Sequence, residues 1–182
     1  MLAGYRNCPV VREVAKMKHF KAKMFNRKAS NPKSKSDQIL RTLALRPKYR
    51  IADIGAGGGY FALRFATAVG SEGKVYAVDI NSDFLQFIRE NSLINGLDNV
   101  ETVNVEDVHS SLPKNGLDLI FMRNVYHHLP ERIDYFRKMA AFLKPNGKVV
   151  IIEYKSGGSF SFHKIFGHHV SQQTIIEEME EA

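Results

Sequence analysis

The run Ile51 to Ala66, IADIGAGGGYFALRFA, constrains this chain more than any other stretch. Ile51-Ala52-Asp53-Ile54 is a short apolar segment that ends at glycine, as a buried strand does. Gly55, Gly57, Gly58 and Gly59 follow, in a turn where the backbone can take positive φ and a ligand can lie against it. Phe61, Leu63, Phe65, Ala66 and Val69 then recur at helical spacing, so a helix opens directly from the turn. Its first amides suit an anionic ligand group such as a carboxylate or phosphate. A dinucleotide fingerprint, G-x-G-x-x-G, would put its third glycine where this chain has Tyr60. What stands here is D-x-G-x-G-x-G, from Asp53 to Gly59.

Downstream, strand and helix signals alternate. Lys74 to Asp79 reads as a second strand with an acid at its end. Ser82 is placed to cap a helix to about Asn95, with Phe84, Leu85, Ile88 and Leu93 inward. Val100 to Val105 and Leu117 to Met122 read as strands three and four, and Lys148 to Glu153 as strand five. A helix is expected over Pro130 to Leu143, with proline in its first turn and Lys144-Pro145-Asn146-Gly147 as its stop. Ser171 is expected to cap a last helix reaching Glu181. Upstream, Ser36 is the expected cap of a helix from Asp37 to Leu45. Such alternation predicts an α/β fold, a Rossmann-like doubly wound and mostly parallel sheet flanked by helices.

The chain divides on charge. Its 182 residues carry a net +7, yet residues 1–50 hold fourteen Lys and Arg against two acids, Glu13 and Asp37. The division expected is a basic helical arm or lid over residues 1–35 and one ligand-binding domain over 36–182. Val10 to Phe25 carries apolar residues at near-helical spacing among lysines, the pattern of an amphipathic helix. Its apolar stripe is expected to pack on the domain as a lid over the ligand, with contact to a membrane surface the lesser alternative. Asn26 to Ser36 reads as a mobile connection. Nucleic acid, an anionic membrane or an acidic substrate would each suit such an arm, as would plain solvation of a helix face. No apolar run approaches the roughly 18 residues of a membrane span. The start shows no signal-peptide core, and Cys8 is the lone cysteine; a cytoplasmic location is expected.

Asp79 lies 20 residues beyond Gly59, where a carboxylate can accept hydrogen bonds from both hydroxyls of a bound ribose. Asp107 and Val108 follow strand three, within reach of an adenine amine and ring. With these in order, Asp53-x-Gly-x-Gly-x-Gly59, Asp79, Asp107-Val108, GLDLIFMRNVYHHL and FLKPNGKVVIIE resemble the class I S-adenosylmethionine-dependent methyltransferases over roughly residues 36–155. More narrowly they are similar to the small-molecule branch that includes quinone-biosynthesis C-methyltransferases. The resemblance implies methyl transfer from S-adenosylmethionine to a small-molecule acceptor, with S-adenosylhomocysteine as product. It implies cofactor contacts from Asp53, Gly55, Ala56, Gly57 and Gly59, from Asp79 and Ile80, from Asp107 and Val108, and from Arg123 and Asn124. Catalytic residues stay open. His127 and His128 are weak candidates for a base, since histidine titrates in the right range, and Tyr126 and Glu153 weaker ones. The alternatives are an RNA or protein methyltransferase using the basic arm, and a non-catalytic cofactor-binding module.

Some readings are disfavoured. Arg123-Asn124-Val125-Tyr126 stands where exocyclic-amine methylases carry an N-P-P-Y type motif. A single cysteine does not suit arsenic methylation. His163, His168 and His169 lack metal-ligand spacing, so no metal is expected. The family's terminal β-hairpin, strands six and seven, has no counterpart in the apolar pattern. Either the chain is truncated or another chain covers the edge of strand five, which predicts a homodimer.

Overall fold

The computed structural model describes residues 19–153 and 170–182. Five parallel strands form one sheet in the order β3-β2-β1-β4-β5. They are β1 (Arg50–Ile54), β2 (Lys74–Asp79), β3 (Val100–Asn104), β4 (Leu117–Arg123) and β5 (Leu143–Ile152). The helices are α1 (Phe20–Ser30), α2 (Ser36–Leu43), α3 (Tyr60–Val69), α4 (Ser82–Ile94), the short α5 (Val108–Ser111), α6 (Arg132–Ala140) and α7 (Gln172–Glu181). The expected doubly wound sheet is present.

Its two faces follow from the two-residue period of strand side chains. Ile51, Val75, Ala77, Leu119 and Phe121 point to one side, where Phe61, Phe65, Val69 and Ile88 of α3 and α4 cover them. Ala52, Ile54, Tyr76, Val78, Ile120 and Met122 point to the other, against Phe136, Met139 and Phe142 around α6. With both faces covered, the strands need apolar residues at nearly every position. The strand order reverses at β1, between β2 and β4, which opens a crevice at the carboxyl ends of those strands.

Local signals mislaid several details. Asn81, not Ser82, caps α4, accepting from the Asp83 and Phe84 amides. Leu93 is 74% exposed, because it falls on the side of α4 turned away from Ile88, while Phe87 and Ser92 are buried. Ser36 does not cap α2; it is buried inside its first turn and donates to the Ala29 carbonyl. Asn26 to Ser30 belongs to α1 instead of a loop. Helix α6 begins two residues after Pro130 and ends at Ala140, and Lys144 to Gly147 is an excursion within β5, between Leu143 paired with Leu117 and Lys148 paired with Leu119. Ser171 does cap α7, accepting from the Thr174 amide at 2.9 Å.

Helix α7 packs Ile175 and Met179 on the core and is further held by a partly buried polar network. Arg132 grips Glu178 through two hydrogen bonds of 2.6 Å, and the Tyr126 hydroxyl donates to the same carboxylate. Bidentate guanidinium–carboxylate pairs combine charge with geometry, and Arg132 accordingly holds the Glu178 carboxyl below its usual range. Tyr126 is fully buried and stacked on Phe136, and its hydroxyl is engaged in this support. Burial, then the bond to Glu178, pushes its hydroxyl up to about 12.

Candidate active site

The glycine turn sits at the carboxyl end of β1, in the crevice. Gly55 and Ala56 both donate to the Val78 carbonyl, at 2.8 and 3.0 Å, which ties the turn to β2. Asp79, 8% exposed at the end of β2, closes the same clasp. One of its oxygens accepts from the Gly57 amide at 2.8 Å and the other from the Asn81 amide at 2.9 Å. Each carboxylate oxygen keeps lone-pair capacity beyond the one bond it makes. Asp79 can therefore shape the turn and still accept ligand hydroxyls. Beside it Ile80 is 77% exposed, an apolar platform at the crevice mouth.

Two glycines are required by what approaches them. Gly55 has φ +70°, and a Cβ there would lie 2.2 Å from Cγ2 of Val125. The loop after β4 thus rests directly on the turn. A Cβ on Gly58 would lie 2.2 Å from both the Ala22 carbonyl oxygen and Asn26 Oδ1. Helix α1 therefore lies across the glycine turn with no room for a side chain between them. Phe25 meets Phe84 edge-on at 5.6 Å, and His19 bonds the Asp83 carbonyl at 3.1 Å; both join α1 to α4.

This contact revises one expectation. The first amide of α3, on Tyr60, does not await a ligand, because Asn26 Oδ1 accepts from it at 3.2 Å. Ala22 and Asn26 are site-lining residues that sequence reasoning missed. The apolar stripe read from the sequence runs through Phe20 and Met24, on the opposite face, and gave no signal for either residue.

Asp53 points into the same region and is fully buried. Burial, then the neighbouring Asp79 charge, pushes its carboxyl up to about 8, against the pull of the Ala62 amide and Arg123. Its Oδ2 has no hydrogen-bond partner among the described residues. Arg123 stacks over Phe61 at 5.6 Å, and Asn124 takes φ +55° as its amide donates to the Ile152 carbonyl at 2.8 Å.

The remaining candidates divide. Asp107 is exposed at the end of a 3₁₀ turn after β3. Val108 is instead buried in the core on the α6 side, and its amide donates to the Val105 carbonyl. His127 Nδ1 lies 2.9 Å from Glu153 Oε2, with both side chains almost wholly buried at the ends of β4 and β5. His128 is exposed, its ring centred 4.0 Å from that of His127. Among the described residues no group of three or more His, Cys, Asp or Glu is arranged to hold a metal ion. His163, His168 and His169 lie outside the described residues. No described helix is long and apolar enough to cross a membrane.

A glycine turn clasped by a strand-end acid at the switch point of a 3-2-1-4-5 parallel sheet defines a nucleotide-type binding domain. Residues 45–182 match the family model described as a methyltransferase domain, and the chain belongs to that family. It is 29% identical over 123 residues to the ubiquinone/menaquinone biosynthesis C-methyltransferase UbiE of Ectopseudomonas mendocina, covering 67% of this chain and 48% of the relative. The chain thus spans about half the length of that curated relative. In fold it is similar to a SAM-dependent methyltransferase from Aquifex aeolicus, with a TM-score of 0.73 at 24% identity, covering 89% of this chain and 87% of the other. It also resembles Haemonchus contortus phosphoethanolamine N-methyltransferase 2, solved with S-adenosyl-L-methionine, with a TM-score of 0.63 at 22% identity over 75% of this chain and 33% of the other.

Proposed function

We propose that this chain transfers a methyl group from S-adenosylmethionine to a small-molecule acceptor, leaving S-adenosylhomocysteine. The observation that carries the reading is the Asp79–Gly57 clasp beneath an exposed Ile80, in a chain of the methyltransferase-domain family. Asp79 would accept the two ribose hydroxyls. Ile80 would support one face of the adenine, and Asp107 would meet its amine. Gly55 to Gly59, Asp53, Arg123 and Asn124 would surround the methionine end, with α1 as the cover.

S-adenosylmethionine supplies a methyl group on a good leaving group, so the protein's task is alignment. Fixing acceptor, carbon and sulfur in line contributes roughly 7–11 kcal/mol in favourable cases. An acceptor that must lose a proton also needs a base. His127 is the better placed of the two histidines, because the Glu153 carboxylate fixes the orientation of its ring. The name of the relative, a C-methyltransferase of ubiquinone/menaquinone biosynthesis, points to a carbon acceptor.

Calorimetric titration tests the reading. S-adenosylmethionine and S-adenosylhomocysteine are expected to bind at micromolar concentration and NAD not to bind; no cofactor binding at millimolar concentration would sink it. We further propose a homodimer through β5, whose outer edge is unpaired among the described residues. Beside it lies a groove lined by Val149, Ile151, Ile175, Ile176 and Met179. Light scattering is expected to give twice the chain mass, and a monomer at high concentration overturns this.

A further inference from the structure

Helix α1 is turned inside out relative to an ordinary surface helix. Its small residues Ala22 and Ala29 are buried against the domain, while Phe20 is 67% and Met24 37% exposed. Four residues apart, Phe20 and Met24 share one stripe on the outer face. Lys23 and Arg27 flank that stripe on one side and Lys21 and Lys28 on the other, all four exposed. Lys33 and Lys35 continue the charge, and residues 20–36 hold six basic side chains and no acid.

We propose that this outer face docks on an anionic lipid surface. Outward apolar side chains between rows of cations let a helix lie in the headgroup layer, the apolar groups dipping in and the cations meeting phosphates. An 11-residue helix is about 16 Å long, so its stripe falls far short of the roughly 800 Å² a stable protein partner needs per side. A fluid headgroup layer needs no such shape match. Single-stranded nucleic acid would use the cations and could stack one base on Phe20, but would leave Met24 without a role.

The inner face of the same helix touches the glycine turn through Ala22 and Asn26. Docking therefore sets the cofactor corner one helix diameter from the lipid layer. That placement suits a lipid-soluble acceptor, a consequence that rests on the proposed methyl transfer; the docking itself does not.

Flotation of the full chain with vesicles tests it, comparing phosphatidylcholine alone with phosphatidylcholine containing about 30% phosphatidylglycerol, at ~0.15 M salt. Binding is expected on the anionic vesicles and at least about tenfold weaker on the neutral ones. K23A/R27A should weaken it about 25-fold, at about fivefold per cation, and F20S/M24S about tenfold. Circular dichroism and cofactor affinity should stay unchanged in both, since none of these side chains is buried. The proposal falls if anionic vesicles are not bound, or if F20S/M24S binds them as well as the wild type. It falls equally if a single-stranded RNA oligonucleotide binds more tightly than the vesicles, which would assign the face to nucleic acid. Loss of cofactor binding by the wild type would overturn the methyl-transfer reading alone and leave the docking result standing.

Discussion

Asp79→Ala is expected to lower S-adenosylmethionine affinity about a hundredfold or more, measured by calorimetry beside the wild type. The size follows from what the carboxylate holds. It accepts from the Gly57 and Asn81 amides in the free protein, and in the proposed complex from two ribose hydroxyls as well. Hydrogen bonds to a charged group contribute about 1.5–3 kcal/mol each, and about 1.4 kcal/mol is tenfold in affinity. Losing two ligand bonds already accounts for the hundredfold. Releasing the turn adds to it, because Gly57 then loses the partner that holds its amide in place.

Asp79→Asn separates the two contributions. The amide keeps the size and one acceptor oxygen, so it can still hold one of the two backbone amides while losing the charge. An intermediate loss, about tenfold, is expected. Thermal melts of both variants show whether the fold survives. Affinity within threefold of wild type in a folded Asp79→Ala would mean that the ribose lies elsewhere.

The position of Asp79 beside the glycine turn was legible because every part of it is local, though its bonds to the Gly57 and Asn81 amides were not read. A strand, a glycine turn and the acid ending the next strand each leave a pattern within a few residues, and parallel pairing of β1 with β2 brings Asp79 to the turn. The contacts that eluded sequence reasoning join distant segments. Asn26 reaches the Tyr60 amide across 34 residues, and Tyr126 reaches Glu178 across 52. No periodicity reports such pairs. Helix α1 shows the same limit differently. Its apolar stripe was visible, but a stripe does not say which face turns inward when the surface to be covered is a glycine turn that Ala22 and Asn26 approach with no room for a side chain. Phe20 and Met24 then lie outside, while Phe25 packs against Phe84. Tyr126 shows the same limit, since the helix that brings Glu178 to its hydroxyl comes late in the chain and leaves no local pattern near it.

Asp53→Asn is expected to remove a fall in stability between about pH 4 and pH 8 that the wild type shows. The Asp53 carboxyl is pushed up to about 8, first by burial and then by the Asp79 charge. In the unfolded chain it titrates near its ordinary value of 3.8. Between those values the folded protein keeps a proton that the unfolded chain has released, so the unfolded state binds fewer protons and stability declines as pH rises. Above about pH 8 both states are ionised and the decline stops. A tenfold difference in proton affinity between the folded and unfolded chain corresponds to about 1.4 kcal/mol, and even that much moves the Tm of a domain this size by about 3–5 °C. The melting temperature of the wild type minus that of Asp53→Asn is therefore expected to fall by at least that much from pH 5 to pH 8.5, with the variant the more stable at the upper end. Taking the difference cancels Glu178, whose lowered carboxyl acts in the opposite sense and at lower pH. Parallel curves would show that Asp53 is solvated or paired in the folded protein. An acid held this way, with Oδ2 unpartnered among the described residues, is poised for a cation. A ligand that brings positive charge beside it stabilises the ionised form, so binding near pH 7.5 should release a proton from the wild type. That release should appear as a binding heat that changes with the ionisation enthalpy of the buffer, and should be absent in Asp53→Asn. The fall in stability and the proton release would then have one cause: a buried carboxylate whose compensating charge arrives with the ligand.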